Sequence, residues 1–328
     1  SGTAYDALGI YMVGRVWLSR GGALRALSRA IALIATVAAI GFLREHLTGR
    51  NIFSVFGGVS EFTTIRDGRL RCQGPFAHPI LAGTFWVGLL PLTAVLLRDP
   101  GRRLQGAIGF LSIATITVLS SSSTPLLGLV ATAAFGCLWL IRTHANFLRW
   151  SALAMLILLH MVMNGPVWSL IARVGVVGGS TGYHRYQLVN AFINNWTEWF
   201  VFGTSSTAHW GWFLFDLANQ FVREGVEGGF LTLALFIMIL VTAFSSVGKR
   251  TSKRASRIEA ASMWAVGTAI AAHCVMFIGI SITHSNTSML VFLWLLAATQ
   301  SQWVNPSGRT LKQQPIPRET GPSPSLST

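Results

Sequence analysis

The chain has 328 residues, of which 52% are hydrophobic and 11% charged, with a mean hydropathy of +0.54. That composition excludes a water-soluble domain, because it holds far more apolar side chain than one core of this size would bury. A net charge of +14 would suit nucleic acid, but the basic residues are sorted by loop, which makes them topology signals and anionic-lipid contacts.

In chain order, Ala4–Leu18 reads as a short apolar helix. The strong spans follow at Leu27–Leu43, Pro79–Leu97, Gln105–Ser120, Pro125–Ile141, Trp150–Val167, Val226–Val247, Ala260–Ile282 and Met289–Val304. Each approaches the roughly 20 residues that cross a bilayer core as a helix. The expected fold is therefore all-α, a polytopic transmembrane helical bundle of about nine spans with a large periplasmic loop containing an amphipathic helix. Residues 1–304 form the membrane domain, with outer loops at 44–78 and 164–224. Residues 305–328, rich in Pro, Ser, Thr and Gln, read as a disordered cytoplasmic tail.

Alternating the loops puts Arg20, Arg25 and Arg29 on one face with Arg98, Arg102, Arg103, Arg142, Arg149 and the Lys249–Arg257 run. The positive-inside rule makes that face cytoplasmic. The two long loops, where acids and bases nearly balance, then face the periplasm of a bacterial inner membrane. The chain starts at Ser1 and enters a span carrying Asp6 and Arg15, so we expect no signal peptide and further helices upstream. Cys137 and Cys274 fall inside spans and Cys72 stands alone on the outer face, which leaves no disulfide there.

The first outer loop carries Arg66-Asp-Gly-Arg69-Leu-Arg71-Cys-Gln-Gly74-Pro-Phe-Ala-His78-Pro79 directly before a span. Pro79 suits a first helical residue, and the free amides of such a helix start favour anions. Arginines and a histidine beside it suit a phosphorylated substrate arriving at membrane level, since a guanidinium holds two phosphate oxygens at once. The competing reading is contact with lipid headgroups.

In the second loop, Arg185 to Phe202 reads as one amphipathic helix. Leu188, Val189, Phe192, Ile193, Trp196, Trp199 and Phe200 form its stripe. Arg185 falls on the apolar side, where a charge needs an anionic partner; the ordinary alternative is an interfacial helix whose arginine snorkels to headgroups. His184 precedes it. After a Gly203 turn come His209, then Asp216-Leu-Ala-Asn219-Gln220, then Glu224 and Glu227 at the opening of the next span. Glu224 and Glu227 sit where the helix dipole favours acids; Asp216 does not.

These pieces resemble the O-antigen ligase and polysaccharide polymerase superfamily of bacterial inner-membrane proteins. The resemblance rests on Tyr5-Asp6-Ala-Leu-Gly9-Ile-Tyr11 to Arg15, on Arg71-x-x-Gly74-Pro-Phe-Ala-His78-Pro79, and on the Ser120-Ser-Ser-Ser-Thr124-Pro125 helix start. In the large loop it rests on Arg185, Gly203, Asp216-x-x-Asn219 and Glu224-Gly225. It implies an inverting, metal-independent glycosyltransferase that needs no cofactor and uses a polyprenyl-diphosphate-linked oligosaccharide as donor and an acceptor glycan as partner. Arg71 and Arg185 would hold the diphosphate, Asp216 would take the acceptor proton, and Arg15, Arg69, His78, His184, His209 and Asn219 would contact substrate. Ligase members commonly carry a His-Asn pair where this chain has Asp216 to Asn219, and many members carry Arg where it has Thr124-Pro125. Both departures favour a polymerase over a ligase that transfers the glycan to a lipid A core. The alternative of another class is a transporter or flippase of a lipid-linked glycan. Such proteins place ionisable groups midway along their helices, and here only His160 and His273 approach that role.

Overall fold

The computed structural model describes residues 2–163, 165–173, 181–251, 257–282 and 286–301. Its helices are α1 (Gly2–Leu18), α2 (Ala23–Thr48), α3 (Pro79–Leu96), α4 (Arg103–Leu119), α5 (Ser123–Cys137), α6 (Ala145–Val162), α7 (Leu170–Arg173), α8 (Thr181–Asn194), α9 (Trp196–Trp199), α10 (Gln220–Arg250), α11 (Arg257–Met276) and α12 (Asn286–Gln300). The expected tail lies outside the described residues.

Five helical stretches are long and apolar enough to cross a bilayer: Ala23–Thr48, Pro79–Leu96, Ser123–Arg142, Gln220–Arg250 and Ile258–Met276. Thr287–Gln300 is apolar but shorter. Helices of the length and apolarity expected from composition are thus present, five of them long enough to cross a bilayer where about nine spans were expected. α3 and α11 are the most enclosed of the five and pack on each other, with α2, α4, α5 and α12 around them. Phe42, Leu90, Ile113, Ile270 and Phe277 fill the centre. The outer faces of α2, α6 and α10 expose Ile34, Val37, Leu156, Ile157, Leu231 and Ile239, the side a lipid tail would cover.

Within the helical fold, the first outer loop carries one short hairpin, where β1 (Thr64–Arg66) and β2 (Arg69–Arg71) pair antiparallel, Thr64 opposite Arg71. Asp67 and Gly68 both adopt positive φ, 51° and 71°, the two-residue turn that Asp-Gly favours because its twist matches that of the strands.

The amphipathic stretch also differs. Helix α8 begins at Thr181 and stops at Asn194, because Asn195 leaves helical geometry and its side-chain amide donates to the Ala191 carbonyl. Trp199 then folds back, its ring stacked on Phe192 and its Nε1 donating to the Phe192 carbonyl at 2.8 Å. Leu188, Phe192 and Trp199 are buried against Leu214, Leu217, Val222 and Val226, whereas Ile193, Trp196 and Phe200 of the same stripe remain exposed. The large loop thus closes a small core of its own above the bundle.

Helix α11 ends at Met276 instead of running to Ile282. Segment 277–282 continues as irregular backbone, with the Phe277 carbonyl accepting from Gln220 N and Ile282 N donating to the Gln220 side chain. Buried non-helical backbone of this kind survives only when protein satisfies it. Of the two histidines expected midway along spans, only His273 is buried there, donating to the Ala269 carbonyl beside Phe277 and Phe292; His160 lies exposed in the last turn of α6, where it accepts from Val167 N and stacks on Trp168.

Candidate functional site

Arg71 is reached from β2 and is 9% exposed. The chain around it is pinned at several points. Cys72 N donates to the Leu119 carbonyl at the end of α4. The buried Glu45 carboxylate accepts from Gln73 N at 3.0 Å, Gly74 N at 2.9 Å and Thr63 Oγ1 at 3.1 Å. Gly74 adopts φ 54° with Phe42 so close that a Cβ would stand 2.4 Å from its ring, so the tight approach needs glycine. Thus fixed, Arg71 Nη2 donates to Ser122 Oγ at 2.7 Å, while its buried Nε has no partner.

Arg185 arrives from the opposite direction, on the buried face of α8. It is 5% exposed, and Nη2 donates to Thr124 Oγ1 at 2.7 Å. Its guanidinium lies on the irregular segment after α11, where a Cβ at Gly279 would come within 2.7 Å of Cζ. The sequence reading placed Arg185 on the apolar side of its helix, and it is there, with a hydroxyl as its protein partner.

Both arginines therefore end on the first residues of α5, and the Ser-rich run explains how. Ser121 takes φ 44°, Ser122 is the N-cap but its side chain makes no capping bond, and Ser122 Oγ instead donates to the Ser120 carbonyl while accepting from Arg71. The start of α3 lies alongside, since a Cβ at Gly83 would meet Pro125 and Ser120 Oγ. His78 caps α3, its Nδ1 accepting from Ile80 N at 3.2 Å.

Electrostatically this is one positive cluster. Burial, then Arg66, holds the Arg71 guanidinium below its usual range, with Asp67 opposing. Burial and then Arg66 do the same to Arg185, and partial desolvation followed by Arg71 and Arg66 lowers the His78 imidazole. The ion pairs among the described residues are Arg50–Glu61, Arg66–Asp67, Arg102–Asp99, His209–Glu198 and Arg223–Glu227. None of them includes Arg71 or Arg185. Two buried guanidinium groups at the positive end of a helix, neither ion-paired among the described residues, make a site that an anion stabilises.

The other expected residues are dispersed. Asn219 spends its side chain on structure, accepting from Val222 N at 3.1 Å and donating to the Ile278 carbonyl at 3.3 Å. His184 is half-buried beside Arg185 and Arg69 is exposed on the hairpin. His209 is a surface residue 2.8 Å from Glu198, whose carboxyl is held below its usual range by the Trp210 Nε1 hydrogen bond, then by His209. Asp216 is exposed, with no hydrogen bond or ion pair to its carboxylate among the described residues. Arg15 is not brought to the site: it lies in the last turn of α1, next to the start of α2, whereas the arginine cluster sits at the far end of α2, beyond Glu45.

Sequence reasoning missed Glu45, Ser122, Thr124, Gln220 and Gly279 as site-building residues. Glu45 had a signal, because an acid in the last turn of a helix opposes the dipole and implies other use. Asp67-Gly68 signalled the hairpin. Among the described residues no three His, Cys, Asp or Glu side chains gather as a metal-ligand set. Comparison with protein-family models, curated proteins and solved structures returns no match for this chain.

Proposed function

We propose that this protein is a membrane glycosyltransferase that takes a glycan from a polyprenyl diphosphate on the periplasmic side of a bacterial inner membrane and adds it to an acceptor glycan, as in polysaccharide polymerisation. The observation that carries the proposal is the pair of buried arginines, not ion-paired among the described residues, converging on the start of α5. A diphosphate brings the missing negative charge, and its prenyl chain explains why the site sits on a membrane bundle.

In the reaction an acceptor hydroxyl oxygen attacks the anomeric carbon, and the bond from that carbon to the diphosphate oxygen breaks. The diphosphate leaves with the electron pair, the configuration inverts, and the hydroxyl proton passes to a base. Arg71 and Arg185 neutralise the charge that grows on the leaving group. We assign the base to Asp216 on the family resemblance: its carboxylate has no hydrogen bond or ion pair among the described residues, whereas the other acids of the loop and the next helix start are engaged, Glu198 by His209 and Trp210, Glu224 by Gln220, Glu227 by Arg223.

The test supplies purified protein with polyprenyl-diphosphate oligosaccharides and looks for an extended lipid-linked product. Transfer only to a lipid A core or another acceptor makes the protein a ligase. Passage of the intact lipid across a bilayer without transfer overturns the proposal.

A further inference from the structure

His78 sits at the edge of the arginine cluster with its two ring nitrogens in different situations. Nδ1 accepts the Ile80 backbone N–H at 3.2 Å, closing the first turn of α3. An acceptor nitrogen carries no proton, so in the neutral ring the proton is on Nε2. The charged form would place N–H against N–H at Ile80 and lose the cap. The positive charges of Arg71 and Arg66 and the positive end of α3 also oppose protonation, while of the carboxylates in this region Asp67 pairs with Arg66 at 3.8 Å and Glu45 is spent on Gln73 N, Gly74 N and Thr63 Oγ1. The side chain itself is exposed.

The geometry points to His78 as a neutral hydrogen-bond donor to the anionic group held by Arg71 and Arg185, with Nε2–H toward the ligand and Nδ1 locked into α3; this rests on the anion-site reading above. A ring in this state cannot serve as the general base. Its free nitrogen already bears a proton, and its basic nitrogen is occupied by the helix. The helix start contributes more than a dipole here, because Arg71 Nε, buried and without a partner, belongs to the same cluster. The guanidinium forks already favour paired oxygens, and a fixed neutral donor adds one more direction. His78 would thus help select how the diphosphate is turned before its bond to sugar breaks.

Capping and donation separate by substitution. His78→Ser keeps an N-cap oxygen and is too short to reach a ligand, so the thermal unfolding of the variant should match the parent. Its affinity for farnesyl diphosphate, measured in nanodiscs, should fall roughly 10- to 100-fold, the worth of one hydrogen bond to a charged group. Nitrogen-15 spectra of histidine-labelled protein should show Nε2 protonated and Nδ1 unprotonated between about pH 6 and 8. Unchanged farnesyl diphosphate affinity in His78→Ser, with affinity lost in Arg71→Ala, overturns the donor role and leaves the anion site standing. A wild type that binds neither farnesyl diphosphate nor inorganic pyrophosphate overturns the anion site itself. If His78→Ser fails to fold, the spectra decide, and an unprotonated Nε2 rejects the proposal.

Discussion

Arg71 and Arg185 each give one guanidinium nitrogen to a hydroxyl of α5 and keep other N–H groups for a ligand. Arg71→Ala and Arg185→Ala should therefore each lower the transfer rate by roughly 30- to 1000-fold, about 2–4 kcal/mol of transition-state stabilisation. Lysine should restore part of this, since it keeps the charge and loses the planar fork. Glycan-extension rates on folded protein check both. For Asp216 the readout is the glycan-extension rate of Asp216→Asn, which should lose most of the wild-type activity while staying folded; a variant that keeps the full rate would move the role of base to a histidine.

At the scale of elements, the site depends on one irregular segment and two close approaches. Gly279 allows the Arg185 guanidinium to lie on the chain between α11 and α12. Gly279→Ala would push the flexible end of Arg185 away from Thr124. The variant should lose activity by an order of magnitude or more while its stability falls by only about 1 kcal/mol, a split visible by comparing unfolding midpoints with rates. Gly229 behaves differently. It breaks α10 at φ 75°, where Phe230 N donates to the Phe200 carbonyl and Thr204 N donates to the Val226 carbonyl. A Cβ there meets the Val201 carbonyl at 2.5 Å. Gly229→Ala should cost roughly 1–3 kcal/mol through strain alone and loosen the large loop, read as faster proteolysis within 195–215.

Across the whole molecule the charges gather at two ends. Arg98 and Arg142 stack over Trp139, and Arg25, Arg98 and Asp99 line a small cavity with Ile258, at the opposite end of the bundle from the buried arginines. Helix α2 alone separates the ends by about 39 Å at 1.5 Å per residue over its 26 residues, enough to span a bilayer core. If the site end is periplasmic, a cysteine at exposed Ser205 should react with an impermeant thiol reagent in spheroplasts and one at exposed Gly101 should not. The native Cys72 is buried and should stay silent. The reverse pattern would invert the topology.

The sequence by itself determined the membrane class, most of the apolar helices and the face of its helix on which Arg185 lies, because each follows from local composition or from a 3.6-residue period; that Arg185 is buried there, and does not snorkel to headgroups, was decided by the tertiary structure. It placed Arg71 and Arg185 in two loops far apart in the chain and could not say that both end on Ser122 and Thr124. That convergence depends on Glu45 fixing the hairpin, on Gly279 admitting a guanidinium, and on α3 and α5 starting side by side. Such contacts join residues tens to more than a hundred positions apart, and no periodicity encodes them. The break of the amphipathic stretch at Asn195 was likewise decided by tertiary packing. Trp199 folded back onto Phe192, and both rings were buried against Leu214, Leu217, Val222 and Val226, which outweighed continuing the helix.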